Sequence, residues 1–135
     1  MRIVVDTNVI LDIFLKREPF FAASYGALRK AVEADVDCFV SATAVTDVFY
    51  ILRKNLKSSE QAKGYLSSLM QLVSFSDVLS TDIAGALASE MADFEDAVVD
   101  AVASRMGAQY ILTRNTKDFV RAKTKAIAPE AYANL

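Results

Sequence analysis

The chain has 135 residues, of which 53% are hydrophobic, with four glycines and two prolines. This length and composition predict one compact domain, spanning residues 1–135, with a substantial apolar core. The single cysteine, Cys38, excludes an internal disulfide, and Asp6 interrupts the apolar start of the chain, so we expect neither a disulfide-stabilised secreted protein nor a signal peptide. The longest uncharged stretch, residues 64–76, is too short and serine-rich to cross a bilayer. We therefore expect a cytoplasmic protein with no membrane partner.

The formal net charge of −2 hides a strong segregation of charge along the chain. Residues 64–104 contain acidic side chains but no Lys or Arg, whereas basic residues crowd the segment from Arg105 to Lys125. A solvated acidic helix is the simplest interpretation of most of these acids. Only an acid with a separate geometric argument is therefore a candidate for a functional site.

Short apolar runs alternate with longer segments of helical periodicity throughout the chain. The runs predict strands at residues 3–5, 38–40, 73–78, 110–113 and 125–127. The periodic segments predict helices from residue 9, at 20–32, from a cap at 41 or 43 to about 54, at 58–72, at 80–92, at 93–106 and after 129. Gly107 suits the end of the sixth helix because it readily takes the left-handed conformation.

Strands that alternate with helices predict an α/β fold of three layers, α/β/α, with a mostly parallel central sheet. Ligands in such folds bind at the carboxyl ends of the strands. Asp6 follows the first strand, and Asn115 and Asp118 follow a later one. Asp47 and Asp96 lie early in helices whose first turns face the same edge. We therefore expect these acidic and amide side chains to converge.

Carboxylates that converge repel each other, by roughly 4 kcal/mol for two unit charges about 4 Å apart at an effective dielectric constant of about 20. A neighbouring Lys or Arg could neutralise them, and so could protonation of one acid. A divalent ion is the functional alternative. The chain has no His, so an all-oxygen donor set favours a hard cation such as Mg²⁺ or Mn²⁺.

Four segments together resemble the PIN-domain nucleases in order and spacing along nearly the whole chain. They are residues 5–12 (VDTNVILD), 41–48, 93–97 (DFEDA) and 113–119 (TRNTKDF). The resemblance implies a PIN-like fold and a Mg²⁺- or Mn²⁺-dependent endoribonuclease that hydrolyses RNA phosphodiester bonds with metal-activated water. Many compact members are toxins of VapBC-type toxin–antitoxin pairs and form dimers. An antitoxin partner and a homodimer are therefore implied as well.

The resemblance also assigns roles to individual residues. It makes Asp6 and Asp96 the core metal ligands. It places Asp47 where the family more often has Glu, and Asn115 where the family commonly has Asp. Asp118, three residues on, could supply the missing carboxylate, so the implied metal ligands are Asp6, Asp47, Asp96 and Asp118. The implied catalytic set adds Asn115.

Neighbouring residues suggest supporting roles. Thr7 and Thr113 could form hydrogen bonds with the metal-binding carboxylates. Basic side chains near the site could contact the RNA backbone. These are Arg114 and Lys117, with Lys16, Arg17, Arg53 and Lys54 as an extension.

Structural interpretations compete with these roles. Asp6 and Asn8 could simply cap the first helix. Asp47 could pair with Lys54. We expect Asp100 to be solvated or to support another ligand, and not to bind the metal ion directly. For Tyr50 we expect a core or dimer contact and not base stacking, because a stacking surface must be exposed.

The sequence leaves two other functions open. One is a PIN-like module with an eroded site that binds RNA or protein without cleaving, which the departures at Asp47 and Asn115 favour. The other is a phosphatase or phospho-acceptor domain, which also carries Asp at strand ends. That second alternative is weak because Asn8 stands where such domains place another acid.

Overall fold

A computed structural model describes residues 1–135 and contains a single sheet of five parallel strands. The strands are β1 (Arg2–Val5), β2 (Asp37–Ser41), β3 (Ser74–Ser76), β4 (Tyr110–Leu112) and β5 (Ala126–Ile127). The helices are α1 (Thr7–Phe14), α2 (Phe21–Glu33), α3 (Ala42–Leu56), α4 (Ser59–Leu72), α5 (Ser80–Leu87), α6 (Phe94–Arg105) and α7 (Pro129–Ala133), with a 3₁₀ turn at Thr116–Phe119. The predicted α/β fold with a parallel sheet is confirmed.

Two apolar clusters pack on opposite faces of the sheet. Successive side chains of β1 point to opposite faces, so Ile3 and Val5 belong to the larger cluster and Val4 to the smaller one. The larger cluster contains apolar residues of α1, α2, α3 and α4, and the smaller contains those of α5 and α6. The fold therefore has the three predicted layers.

The strand order across the sheet is β3-β2-β1-β4-β5. The chain adds β2 and β3 on one side of β1, and then β4 and β5 on its other side. Connections that leave β1 and β4 go to opposite sides, which opens a crevice beyond their carboxyl ends. Asp6 directly follows β1 and Thr113 directly follows β4, and Val5 lies opposite Leu112 in the register. The topology thus places both residues at the switch point of the sheet.

Helix limits differ from the predictions at two places. Helix α1 begins at Thr7, two residues before the predicted start at Val9, because the Asp6 carboxylate accepts a hydrogen bond from the Thr7 amide and caps the helix there. Helix α5 ends at Leu87 and not at Ala92. Gly107 has φ +68° directly after α6, as its position predicted. No helix has both the length and the apolar character needed to cross a membrane.

Candidate active site

A cleft of about 720 Å³ opens at the carboxyl edge of the sheet. Four of the side chains predicted to form a site line it: Asp6, Asp47, Asp96 and Asn115. They come from four separate segments of the chain, namely the loop after β1, helix α3, the first turn of α6 and the loop after β4. The expected grouping at one edge of the sheet is therefore present in the structure.

Asp6 is the most buried acid of the cleft, with 7% of its surface exposed. Its Oδ1 accepts from the Thr7 amide at 2.8 Å, and its Oδ2 accepts from the Thr113 hydroxyl at 2.8 Å. Burial raises the pKa of Asp6, and these two hydrogen bonds oppose the rise. The carboxylate is thus held in one orientation at the floor of the cleft, where it also caps α1.

Asn8 and Thr113 connect the two strand ends. The Asn8 side-chain amide donates to Thr113 Oγ1 at 3.2 Å and to Asp6 Oδ2 at 3.4 Å, while its Oδ1 accepts from the Arg114 amide at 3.2 Å. Thr113 Oγ1 also accepts from the Asn115 amide at 3.0 Å. Asn8 lies inside α1 and does not cap it, so that expectation is wrong. Its side chain instead ties the start of α1 to the loop after β4.

Asp96 lies in the first turn of α6, where its amide donates to the capping side chain of Asp93 at 2.9 Å. Burial, followed by the negative charges of Asp6 and Asp93, raises the pKa of Asp96 to about 7. Without a cation, the negative charge of Asp6 therefore disfavours ionisation of Asp96 in the same cleft.

Asp47 projects from α3 and is exposed. It forms no ion pair, so the proposed pairing with Lys54 is wrong. Partial burial raises its pKa. The carboxylate remains free of any cationic partner while it faces the same cleft as Asp6 and Asp96.

Asn115 and Asp118 occupy different positions around the cleft. Asn115 lines the cleft, and its side chain makes no capping hydrogen bond with the 3₁₀ turn that follows. Asp118 is exposed and is not among the lining residues, but its charge contributes to the raised pKa of both Asp6 and Asp96. Asp118 therefore acts on the site through its electrostatic field.

No group of three acidic side chains lies close enough to enclose a metal ion. The donor set nevertheless fits Mg²⁺, because this ion takes one or two carboxylates directly and keeps several water ligands. The negative charge of Asp6 raises the pKa of Asp96, and the side chains of Asp6, Asp47, Asp96 and Asn115 all carry oxygen atoms. Asp47 and Asn115 would then reach the ion through water.

Comparison with known proteins agrees with this geometry. The sequence profile of the PIN domain family matches residues 2–117. The chain belongs to the PIN domain family. It is similar to ribonuclease VapC1 of Aquifex aeolicus strain VF5, with 26% identity over 139 residues that cover 97% of this chain and 92% of that protein.

Solved structures of similar fold include two VapC-type proteins. The VapBC2 structure of Rickettsia felis, bound to a DNA fragment from its promoter, has a TM-score of 0.74 and 16% identity, covering 95% of this chain and 98% of that one. VapC20 of Mycobacterium tuberculosis, described as a toxin that cleaves the sarcin-ricin loop, has a TM-score of 0.67 and 16% identity, covering 91% and 98% of the two chains. These likenesses establish the PIN fold.

Arg114 is engaged inside this PIN domain. Its guanidinium donates to both carboxylate oxygens of Asp12, at 2.6 and 3.0 Å, and lies 3.8 Å above the centre of the Phe20 ring. Arg114 thus has a structural role that the sequence did not predict, and its contact with RNA stays a prediction. Arg17 is the only basic residue that lines the cleft of the PIN domain.

Two buried acids of the PIN domain have structural roles that the sequence did not reveal. Asp100 is 6% exposed and accepts from the amides of Lys123 and Thr124, both at 2.9 Å. Of the two positions expected for it, solvated or supporting, the solvated one is wrong. Asp12 is completely buried and was missed. Its place among apolar residues of α1 could have indicated a partner, because a buried charge needs one.

Proposed function

We propose that this PIN domain is a Mg²⁺- or Mn²⁺-dependent endoribonuclease. The single observation that carries the proposal is the cleft at the switch point of the sheet, where Asp6, Asp47, Asp96 and Asn115 line one cavity with no basic partner among them. Such an excess of negative charge requires a cation before a polyanion can enter. The similarity to a ribonuclease supports RNA as that polyanion.

In this proposal Asp6 and Asp96 would hold the ion, and Asp47 and Asn115 would orient water beside it. A bound divalent ion would lower the pKa of a water molecule and offset the charge on the phosphate oxygens. Hydrolysis would then add the water oxygen to phosphorus and break one P–O ester bond, with the proton lost by the water balancing the proton gained by the departing oxygen. Thr113 and Asn8 keep Asp6 in place during this step through the hydrogen bonds described above.

The names of the similar proteins extend the proposal to a partner. Several are toxin–antitoxin complexes, including one from Klebsiella pneumoniae. We propose that this chain is likewise a toxin that forms a homodimer, acts on RNA in the cytoplasm and is inhibited by an antitoxin. A basic side chain of the antitoxin would neutralise the acidic cleft. Coexpression with the product of an adjacent gene, followed by affinity purification, tests for that partner.

A binding module without catalysis is the second candidate. It is favoured by the wide spacing of the acids, which form no three-carboxylate cluster, and by Asn115 and Asp47 at positions where the family has stronger ligands. Such a module would bind RNA or a protein and would not depend on a divalent ion.

Cleavage of a panel of structured and unstructured RNAs with Mg²⁺, with Mn²⁺ and with EDTA separates the two candidates. Internal cleavage that requires the metal and is lost in Asp6→Asn supports the nuclease. Binding of RNA that is equally tight with metal and with EDTA, without cleavage of any RNA, favours the binding module.

A further inference from the structure

A stripe of four exposed side chains runs along α3 away from the cleft. The α3 stripe consists of Tyr50, Arg53, Lys54 and Lys57. Tyr50 lines the acidic cleft and also lines an adjacent cavity of about 460 Å³ whose other walls are the three basic residues. The two cavities therefore lie side by side and share a single aromatic side chain.

The stripe begins beside a residue of the candidate site. Residues three or four apart on a helix are neighbours, so Asp47, Tyr50, Lys54 and Lys57 follow one face of α3. From Asp47 to Leu56, the last residue of α3, the helix rises roughly 14 Å, so the basic end of the stripe lies well away from the cleft. A polynucleotide whose phosphate lies at the acidic cleft can thus continue along this face.

The charges of the stripe have no partners in the protein. Arg53, Lys54 and Lys57 form no ion pairs, and Asp47 is the only acid in α3. Arg53 and Lys54 lie in the last turn, where they complement the helix dipole. That role accounts for their position but not for Tyr50, which is 60% exposed between the two cavities.

We propose that the α3 stripe binds the single-stranded part of the RNA next to the scissile phosphate. An unpaired base stacks on Tyr50, and the phosphates that follow contact the three basic side chains. A duplex would not allow this stacking because its bases are held in pairs, so the surface selects unpaired RNA. The inference rests on the proposed function. Of the two contacts expected for Tyr50, the core contact is wrong because the side chain is 60% exposed, and the dimer contact is an outcome of the test below.

The test measures binding of a short, unstructured, fluorescently labelled RNA to the full chain carrying Asp96→Asn, over a range of salt concentrations. Replacing the three basic residues of the stripe with Gln should reduce the slope of log K against log salt by about 2, because each phosphate contact on a single strand contributes about 0.7. The matched control replaces Arg121, Lys123 and Lys125, which are exposed and line neither cavity, with Gln. The control changes the net charge equally and should leave the slope unchanged.

Tyr50 is tested in the same assay. Tyr50→Phe should retain affinity for the unstructured RNA because the ring is preserved, whereas Tyr50→Leu should weaken binding by about 5- to 150-fold. Affinity for a fully paired RNA of the same length should change much less in Tyr50→Leu.

Three results would overturn the inference. The first is an equal slope for the two triple variants, and the second is preferential binding of duplex RNA. The third is unchanged RNA affinity in the stripe variants combined with loss of a dimer in light scattering, which would make the stripe a protein contact. If the predicted binding pattern holds but wild-type protein cuts no RNA, the proposed function fails and the binding surface stands.

Discussion

Arg114, which is partly exposed, and the buried Asp12 form a two-pronged ion pair that joins the loop after β4 to helix α1. The Nε of Arg114 lies 2.6 Å from Asp12 Oδ2, and one terminal nitrogen lies 3.0 Å from Oδ1. The Ser24 hydroxyl of α2 donates to Asp12 Oδ2 at 2.9 Å. The pair therefore fixes the segment that carries Thr113 and Asn115 against the helix that Asp6 caps.

Removal of the guanidinium should destabilise the fold. We expect Arg114→Ala to lower the free energy of unfolding by about 3–5 kcal/mol, because it leaves the carboxylate of Asp12 buried without its main partner. Chemical denaturation measures the change. Divalent-ion affinity should also fall, since the loop after β4 loses its anchor.

Arg105→Ala is the matched control for that experiment. Arg105, in the last turn of α6 and so at the opposite end of that helix from Asp96, forms a similar pair with the buried Asp82 of α5, 3.0 Å away. Its loss should reduce stability while affinity for Mn²⁺ stays close to that of the wild type. A loss of ion affinity as large as that in Arg114→Ala would show that ion binding follows global stability and not the loop anchor.

Thr113 should tune the metal site through a single hydroxyl. Thr113→Val removes the donor to Asp6 and the acceptor of the Asn115 amide, so we expect divalent-ion affinity to fall by about 10- to 100-fold. Calorimetric titration measures this affinity. Thr113→Ser keeps the hydroxyl and should retain the wild-type affinity. A loss in the serine variant as large as that in the valine variant would contradict the role of the hydroxyl.

The stability of the metal-free protein should fall as pH rises, because of Asp96. Its pKa is about 7 in the folded chain against 3.8 for the ordinary carboxyl group, so the folded state binds the extra proton between these values. The stabilising contribution of the protonated group is therefore fully present below about pH 4 and is lost as pH rises to about 7. Thermal unfolding in EDTA across this range measures the trend.

Asp96→Asn should separate stability from activity. The neutral amide cannot ionise, so the variant should unfold at a higher temperature than the wild type at about pH 8 in EDTA. RNA cleavage should fall by more than about 100-fold, because loss of a direct ligand costs more than loss of a supporting hydrogen bond. Wild-type cleavage by Asp96→Asn would remove Asp96 from the site.

Asn115 and Asp118 should differ in their effect on ion binding. Asn115→Asp adds a carboxylate to the wall of the cleft and should tighten Mg²⁺ binding by about 10-fold. Asp118→Asn removes a charge outside the cleft and should weaken binding by less than about 3-fold. A larger loss in Asp118→Asn than the gain in Asn115→Asp would identify Asp118 as the supporting ligand.

Much of the fold could be predicted because its signals are local. The continuous apolar runs at β1 and β4 mark buried parallel strands, and Gly107 marks a helix end. The position of Asp6 at the sheet edge then follows from strand direction alone.

The partners of buried polar groups could not be predicted in the same way. Asp12 and Arg114 are 102 residues apart, and a single sequence carries no information on which distant side chain meets which. The pairing of Arg114 with Asp12 and the burial of Asp100 were therefore not predicted. The start of α1 was also misplaced by two residues, because Asp6 caps the helix and Asn8 already lies inside it.

The most direct test of the metal site is a titration with Mn²⁺ in which electron paramagnetic resonance measures the free ion. We predict that wild-type protein binds Mn²⁺ and that Asp6→Asn weakens binding by more than about 100-fold. Asp37→Asn, the same charge change at the exposed amino end of β2, should bind as the wild type does. Equal Mn²⁺ affinity in Asp6→Asn and wild type, or no binding by the wild type, would contradict the assignment of the cleft as a metal site.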